Sequence, residues 1–134
     1  MNRLVLGVAL ALACVTGVAL DRFTLAQQAG GIKRNILLRT DEPGAANYEA
    51  VLALAEIGPG ASSGKHLHDG VEIGYVLDGS VVIEYPGKPA TTFNAGEVFK
   101  NEGAHTARNP GSKTTKVVSV YLVEKGKPLA DPAP

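Results

Sequence analysis

His66 and His68 stand two residues apart, and Glu72 follows four residues after the second. On a β-strand alternate side chains share a face, so both imidazoles would point one way and Leu67 the other. Their Cα atoms would lie roughly 6.5–7 Å apart, near enough for both rings to converge on one ion at about 2.0–2.2 Å. Asp69-Gly70 is turn chemistry, after which a strand from Val71 can carry Glu72 back toward the same interior. Two imidazoles and a carboxylate make a borderline-hard donor set that suits one divalent transition metal: Fe, Mn, Ni, Cu or Zn. An H-x-H pair alone is a weak signal, because a polar turn with solvated histidines gives the same string. The third histidine, His105, sharpens it. All three histidines of the chain fall in two glycine-bracketed segments, 60–79 and 96–109.

These residues also carry a resemblance. Gly60, His66, His68, Glu72 and Gly79 resemble the first motif of the cupin superfamily: glycine, five residues, H-x-H, three or four residues, glutamate, six residues, glycine. Every spacing matches. Gly96, Gly103, His105 and Asn109 resemble the second motif, with Glu102 where proline is usual and a glycine-to-histidine interval one residue short. The similarity extends over about residues 34–124, and it is strongest to small single-domain bacterial cupins with an export signal. It implies an all-β, cupin-like jelly-roll β-barrel with His66, His68, Glu72 and His105 as ligands of one metal ion.

The elements that must position these side chains read as short strands. Lys33 to Thr40 suits a strand or arm, closed by the turn Asp41-Glu42-Pro43-Gly44. Tyr48 to Ile57 is a long strand, apolar on both faces, between Pro43-Gly44 and Pro59-Gly60. In Val71 to Leu77, alternation sets Glu72, Gly74 and Val76 on one face and Ile73, Tyr75 and Leu77 on the other. Gly74 then lacks a side chain beside the metal and leaves room for a ligand or a close strand. Asp78-Gly79 turns the chain into Ser80 to Tyr85. Ala90 to Phe93, Val98 to Lys100, His105 to Asn109 and Thr115 to Val123 complete eight or nine strands with no convincing helix, the pattern of an all-β sandwich or barrel.

The chain has room for one domain: 134 residues, with 13 basic and 13 acidic side chains in balance. That balance gives no footprint for nucleic acid. Residues 1–26 read as a secretory signal peptide, with Arg3 ahead of the apolar run Leu4 to Leu20 and a small-residue cleavage site near Ala26. The protein is therefore expected in the periplasm or outside the cell, and at a membrane only if this segment is uncleaved. Cys14 is the single cysteine, so the mature chain has no disulfide, no thiolate nucleophile and no cysteine-based zinc site. It sits in a poor lipobox. Residues 27–46 form an N-terminal arm, 47–124 the barrel, and 125–134 a proline-rich tail that is either disordered or strapped across the barrel.

Two function classes remain. One is a metal-dependent oxidoreductase of dioxygenase type acting on a small molecule, with Glu72 as a ligand or, off the metal, as a general base. The other is a non-catalytic binding protein for a small ligand or metal. Ser62 and Ser63 lie near the histidines without a nucleophile motif, and Arg108 points away from His105 by alternation. The two long apolar strands exceed what a lone small barrel can cover, which predicts a homodimer.

Overall fold

A computed structural model describes residues 29–134. The signal-like segment 1–26 and Cys14 lie outside the described residues. Ten strands follow a 3-10 turn at Ala29–Gly31. They are β1 (Ile32–Asp41), β2 (Tyr48–Ile57), β3 (His66–Leu67), β4 (Gly70–Asp78), β5 (Ser80–Glu84), β6 (Thr91–Asn94), β7 (Val98–Glu102), β8 (Thr106–Arg108), β9 (Thr115–Glu124) and β10 (Asp131–Pro132).

Five of them form one antiparallel sheet in the order β1-β2-β9-β4-β7. Facing it are the three-stranded sheet β6-β5-β8 and the pair β10-β3. Isolated bridges at His66–His105 and Ser62–Arg108 tie those two pieces into a second layer. This is a jelly-roll, as expected, although hydrogen bonding does not close the layers into one continuous barrel. The segment 27–46 contains β1, which pairs along β2 with one irregularity between Ile36 and Leu38. The tail does not hang free: β10 pairs with β3, and Ala133 N–H donates to Lys65 O at 3.0 Å.

Alternation explains the layers. On β2 the inner positions Val51, Ala53, Ala55 and Ile57 are buried while their neighbours are half-exposed. On β4 the inner Glu72 and Val76 are buried, and the outer Ile73, Tyr75 and Leu77 are 55%, 44% and 53% exposed. Ile57, Val76, Phe99 and Val117 of the large sheet meet Val81 and Ile83 of β5 in the main core. A smaller cluster holds Val51, Tyr121, Val123 and the tail residue Leu129. The metal-facing row lies beside these cores, because Val51, Tyr121, Glu72 and Asn101 are register partners across β2, β9, β4 and β7.

Gly79, which ends the first motif, has φ +79° at the β4–β5 turn. A Cβ there would stand 2.6 Å from Thr115 Oγ1, a hydroxyl that donates to Ser80 O at 2.8 Å. Both the conformation and the close approach require glycine. At Gly74 the neighbouring strand, not a ligand, takes the room that glycine leaves. The room predicted beside it is occupied by Phe99, its register partner on β7, whose ring lies 2.1 Å from where a Cβ would be. Glycine here admits an aromatic ring into the core and leaves no space for a ligand. Gly74→Ala should therefore destabilise the fold by ~1–3 kcal/mol through overpacking, read as a lower urea midpoint. Pairing it with Phe99→Leu should recover part of the loss. A single variant as stable as wild type would refute this packing.

Candidate metal centre

β3 is only two residues long, yet it is pinned on both edges. On one side Pro132 pairs with His66. On the other, His66 and His105 exchange both backbone hydrogen bonds, N–H to O at 2.9 and 2.8 Å. Residues paired in this way carry their side chains side by side, and the two rings lie 4.4 Å apart. This bridge seats His105 despite the shortened interval of its motif. His68 follows with its ring 5.0 Å from His66 and 5.3 Å from His105. Glu72 arrives from β4 in the opposite layer, its Oε2 3.3 Å from His68 Nε2 and 3.7 Å from His105 Nε2. All four predicted site residues are thus brought together, and all four are buried.

The backbone decides which nitrogen of each ring faces the centre. Nδ1 of His66 lies 3.1 Å from Gly64 O, Nδ1 of His105 lies 2.9 Å from Gly103 O, and Nδ1 of His68 contacts Leu129 O. A carbonyl only accepts, so each Nδ1 carries the proton and, in the neutral ring, each Nε2 presents a lone pair. Nε2 of His68 and of His105 are buried with no hydrogen-bond partner. Both face the Glu72 carboxylate, which is also an acceptor. Acceptor against acceptor in a dry interior is unfavourable unless a proton or a metal cation lies between them. One ligand nitrogen from each of the three histidines falls within 4.8 Å of the others, so the three could hold a metal ion. The donor set fits such an ion.

Electrostatics agree. Burial lowers His66 to about 4, with the neighbouring His105 and His68 adding to the effect, and burial likewise lowers His105. Both rings are therefore neutral, ligand-ready imidazoles at pH 7. Burial alone would raise Glu72, but the contact with His68 and the hydrogen bond from Asn101 hold it well below the usual carboxylate range. Asn101 Nδ2 donates to Glu72 Oε2 at 2.7 Å, and Tyr85 Oη–H in turn donates to Asn101 Oδ1 at 2.5 Å. Tyr121, edge-on to His68 at 4.8 Å, titrates above its ordinary range through burial and the charge of Glu72.

Asn101, Tyr85, Tyr121 and the Leu129 carbonyl had no motif to mark them, being scattered over four segments. Alternation from Glu72 to its register partners is the one signal that could have found Asn101 and Tyr121. Asn109, in contrast, is structural: Nδ2 donates to Ile57 O at 2.8 Å and Lys113 O at 2.7 Å. Ser63 Oγ donates to Gly64 O and accepts from Ala107 N–H, which makes it a loop clip. Arg108 pairs with Glu84 at 3.4 Å on a half-exposed surface.

The tail is part of the centre through Leu129, whose side chain is buried and whose carbonyl orients His68. Removing residues 129–134 should destabilise the protein by at least ~2 kcal/mol through the lost leucine. It should also weaken metal binding about 10–100-fold, the usual cost of losing a partner that orients a ligand. Chemical denaturation and metal titration measure the two effects. Unchanged metal affinity in a folded truncated chain would detach the tail from the site.

Comparison with known proteins places this arrangement. No curated protein matches the chain. An uncharacterised conserved protein with a double-stranded β-helix domain from Klebsiella pneumoniae superposes with TM-score 0.61 at 22% identity, over 74% of this chain and 83% of that one. A polyketide cyclase from Streptomyces resistomycificus gives 0.60 at 22% identity, over 77% and 71%. A predicted oxalate decarboxylase from Thermotoga maritima gives 0.56 at 28% identity, over 69% and 80%. A family model described as a cupin domain matches residues 53–121, just over half of the chain. That match runs through both histidine segments, and with the jelly-roll layers and the clustered histidines it shows that the chain belongs to the cupin family.

Proposed function

We propose that the protein is an exported cupin metalloenzyme that binds one divalent transition ion through His66, His68, His105 and Glu72 and acts oxidatively on a small molecule. The observation that carries this reading is the pair of buried, unpartnered Nε2 atoms of His68 and His105 set against the Glu72 carboxylate. Export rests on the signal-like residues 1–26. Fe, Mn or Ni held by these four side chains would supply Lewis acidity and redox chemistry at the site. The chain's own residues do the rest. The carbonyls of Gly64, Gly103 and Leu129 hold the rings, Asn101 orients Glu72, and Ile57, Val81, Ile83 and Val117 keep the cavity beside the centre largely dry.

Elemental analysis should find about one ion per chain in the purified protein, and a His66→Ala, His68→Ala double variant should lose it. Glu72→Gln should lower metal affinity at least tenfold if Glu72 is a ligand. It should instead leave metal in place and abolish turnover if Glu72 is the base. Equal metal content in wild type and the double variant would reject the site. A loaded protein that binds a small organic molecule tightly, consumes no oxygen and converts nothing would establish the non-catalytic binding protein.

The outer face of the five-stranded sheet supports a homodimer. Ile73 pairs with Val120 and Tyr75 with Val98 on that face, and these four are 40–65% exposed. A contiguous apolar patch in a sheet centre suits self-association. Sedimentation at micromolar concentration should show a dimer that Val120→Glu converts to monomer. A monomeric wild type would overturn this assembly.

A further inference from the structure

β1 brings one more charged group to the site. Ile32 and Arg34 pair with Ile57 and Ala55 of β2, and both line a cavity of about 30 Å³ that also touches His66, Glu72 and His105. Arg34 Nε is buried without a hydrogen-bond partner. Among the described residues no carboxylate forms an ion pair with it. Its Cζ stands 5.8 Å from the centre of the Tyr121 ring. That cation–π contact favours the positive charge but occupies none of the five N–H donors. The register leaves the arm room, for its neighbours inward are the small residues Ala55, Ala53 and Ser119. Its charge is felt at His66 and His105, where it adds to burial in lowering their proton affinity.

A second unpartnered donor, Ser119 Oγ, lines the same cavity, as does the unpartnered His105 Nε2. Donors without acceptors and lone pairs without a cation are complementary deficits. We propose that Arg34 is the anion-binding residue of this centre and that its ligand is a small carboxylate, held with its carboxyl group between the guanidinium and the ion. The proposal rests on the metal reading above and names the substrate class for it. A divalent ion, one carboxylate and one guanidinium leave a double positive charge in a partly buried space, which an anion offsets and a neutral ligand does not. The planar fork of arginine matches a carboxylate better than any other anchor in the cavity. A volume near 30 Å³ has room for only one or two water-sized groups. The acid is therefore one of a few carbons whose charged end enters while the remainder stays toward the mouth.

The test compares wild type, Arg34→Met and Arg34→Lys by calorimetric titration with acetate and lactate, and with the neutral lactamide, after metal content has been measured in each. Equal metal content is expected in all three. At least one of the two carboxylates should bind the loaded wild type, at least tenfold more weakly to Arg34→Met, with partial recovery in Arg34→Lys. Lactamide should bind weakly and alike to all. Carboxylate binding undiminished in Arg34→Met, lactamide as tight as lactate, or no carboxylate binding by the loaded wild type would each overturn the proposal and leave Arg34 solvated by water. If wild type takes up no ion, the metal reading fails by itself, and the metal-free protein decides the role of Arg34. Carboxylate binding that Arg34→Met abolishes would then sustain the role, and absent binding would end it.

Discussion

Each histidine of the centre commits its Nδ1 proton to a backbone carbonyl, and the rest of the structure serves that arrangement. Three neutral hydrogen bonds of this kind contribute only about 1 kcal/mol each, less than the several kcal/mol needed to bury an ionised carboxylate beside bare lone pairs. The balance is met elsewhere, by the apolar cores and by Asn101 clamping Glu72. Without an ion such a site would be a local deficit, offset by the stability of the whole fold. A cation in it would return that free energy as binding and would raise the stability of the folded chain.

The jelly-roll divides the work between its layers. β3, the residue after it and the bridge residue before β8 supply three imidazoles, and the large sheet supplies Glu72, Asn101 and Tyr121 along one register row. Facing sheets stand about 10 Å apart, a gap that side chains from both layers bridge only by meeting midway. A centre built from both layers therefore lies in the protein interior by construction. Phe99 occupies the place left by Gly74 and forms one wall of the cavity that Arg34 and Ser119 also line.

The three carbonyls that lock the rings belong to residues far apart in the chain: Gly64, Gly103 and Leu129. Two of them are two residues before the histidine they hold, so those locks are local and travel with the motif. The third comes from the tail, 61 residues beyond His68. This makes the tail's pairing with β3 a condition of the site's geometry. Lys127, within 3.2 Å of both Asp69 and Glu124, helps to moor the same segment, although its exposure limits what those pairs contribute.

Local chemistry was legible in the residues themselves. The H-x-H spacing, the turn at Asp69-Gly70 and the alternation in β4 set His66, His68 and Glu72 on inner faces, and the turn glycines and proline-glycine pairs bounded β2, β4 and β5 close to where they lie. Side-chain direction in a strand is a property of two-residue periodicity, which a sequence carries openly. What the string lacked was every relation between strands distant in the chain. The His66–His105 bridge, the Arg34 guanidinium near Tyr121, the Leu129 carbonyl on His68 and the Phe99 ring over Gly74 each depend on register and layer order. Those are settled by the packing of the whole core, because a strand's own residues dictate which face is buried but not which partner lies across it.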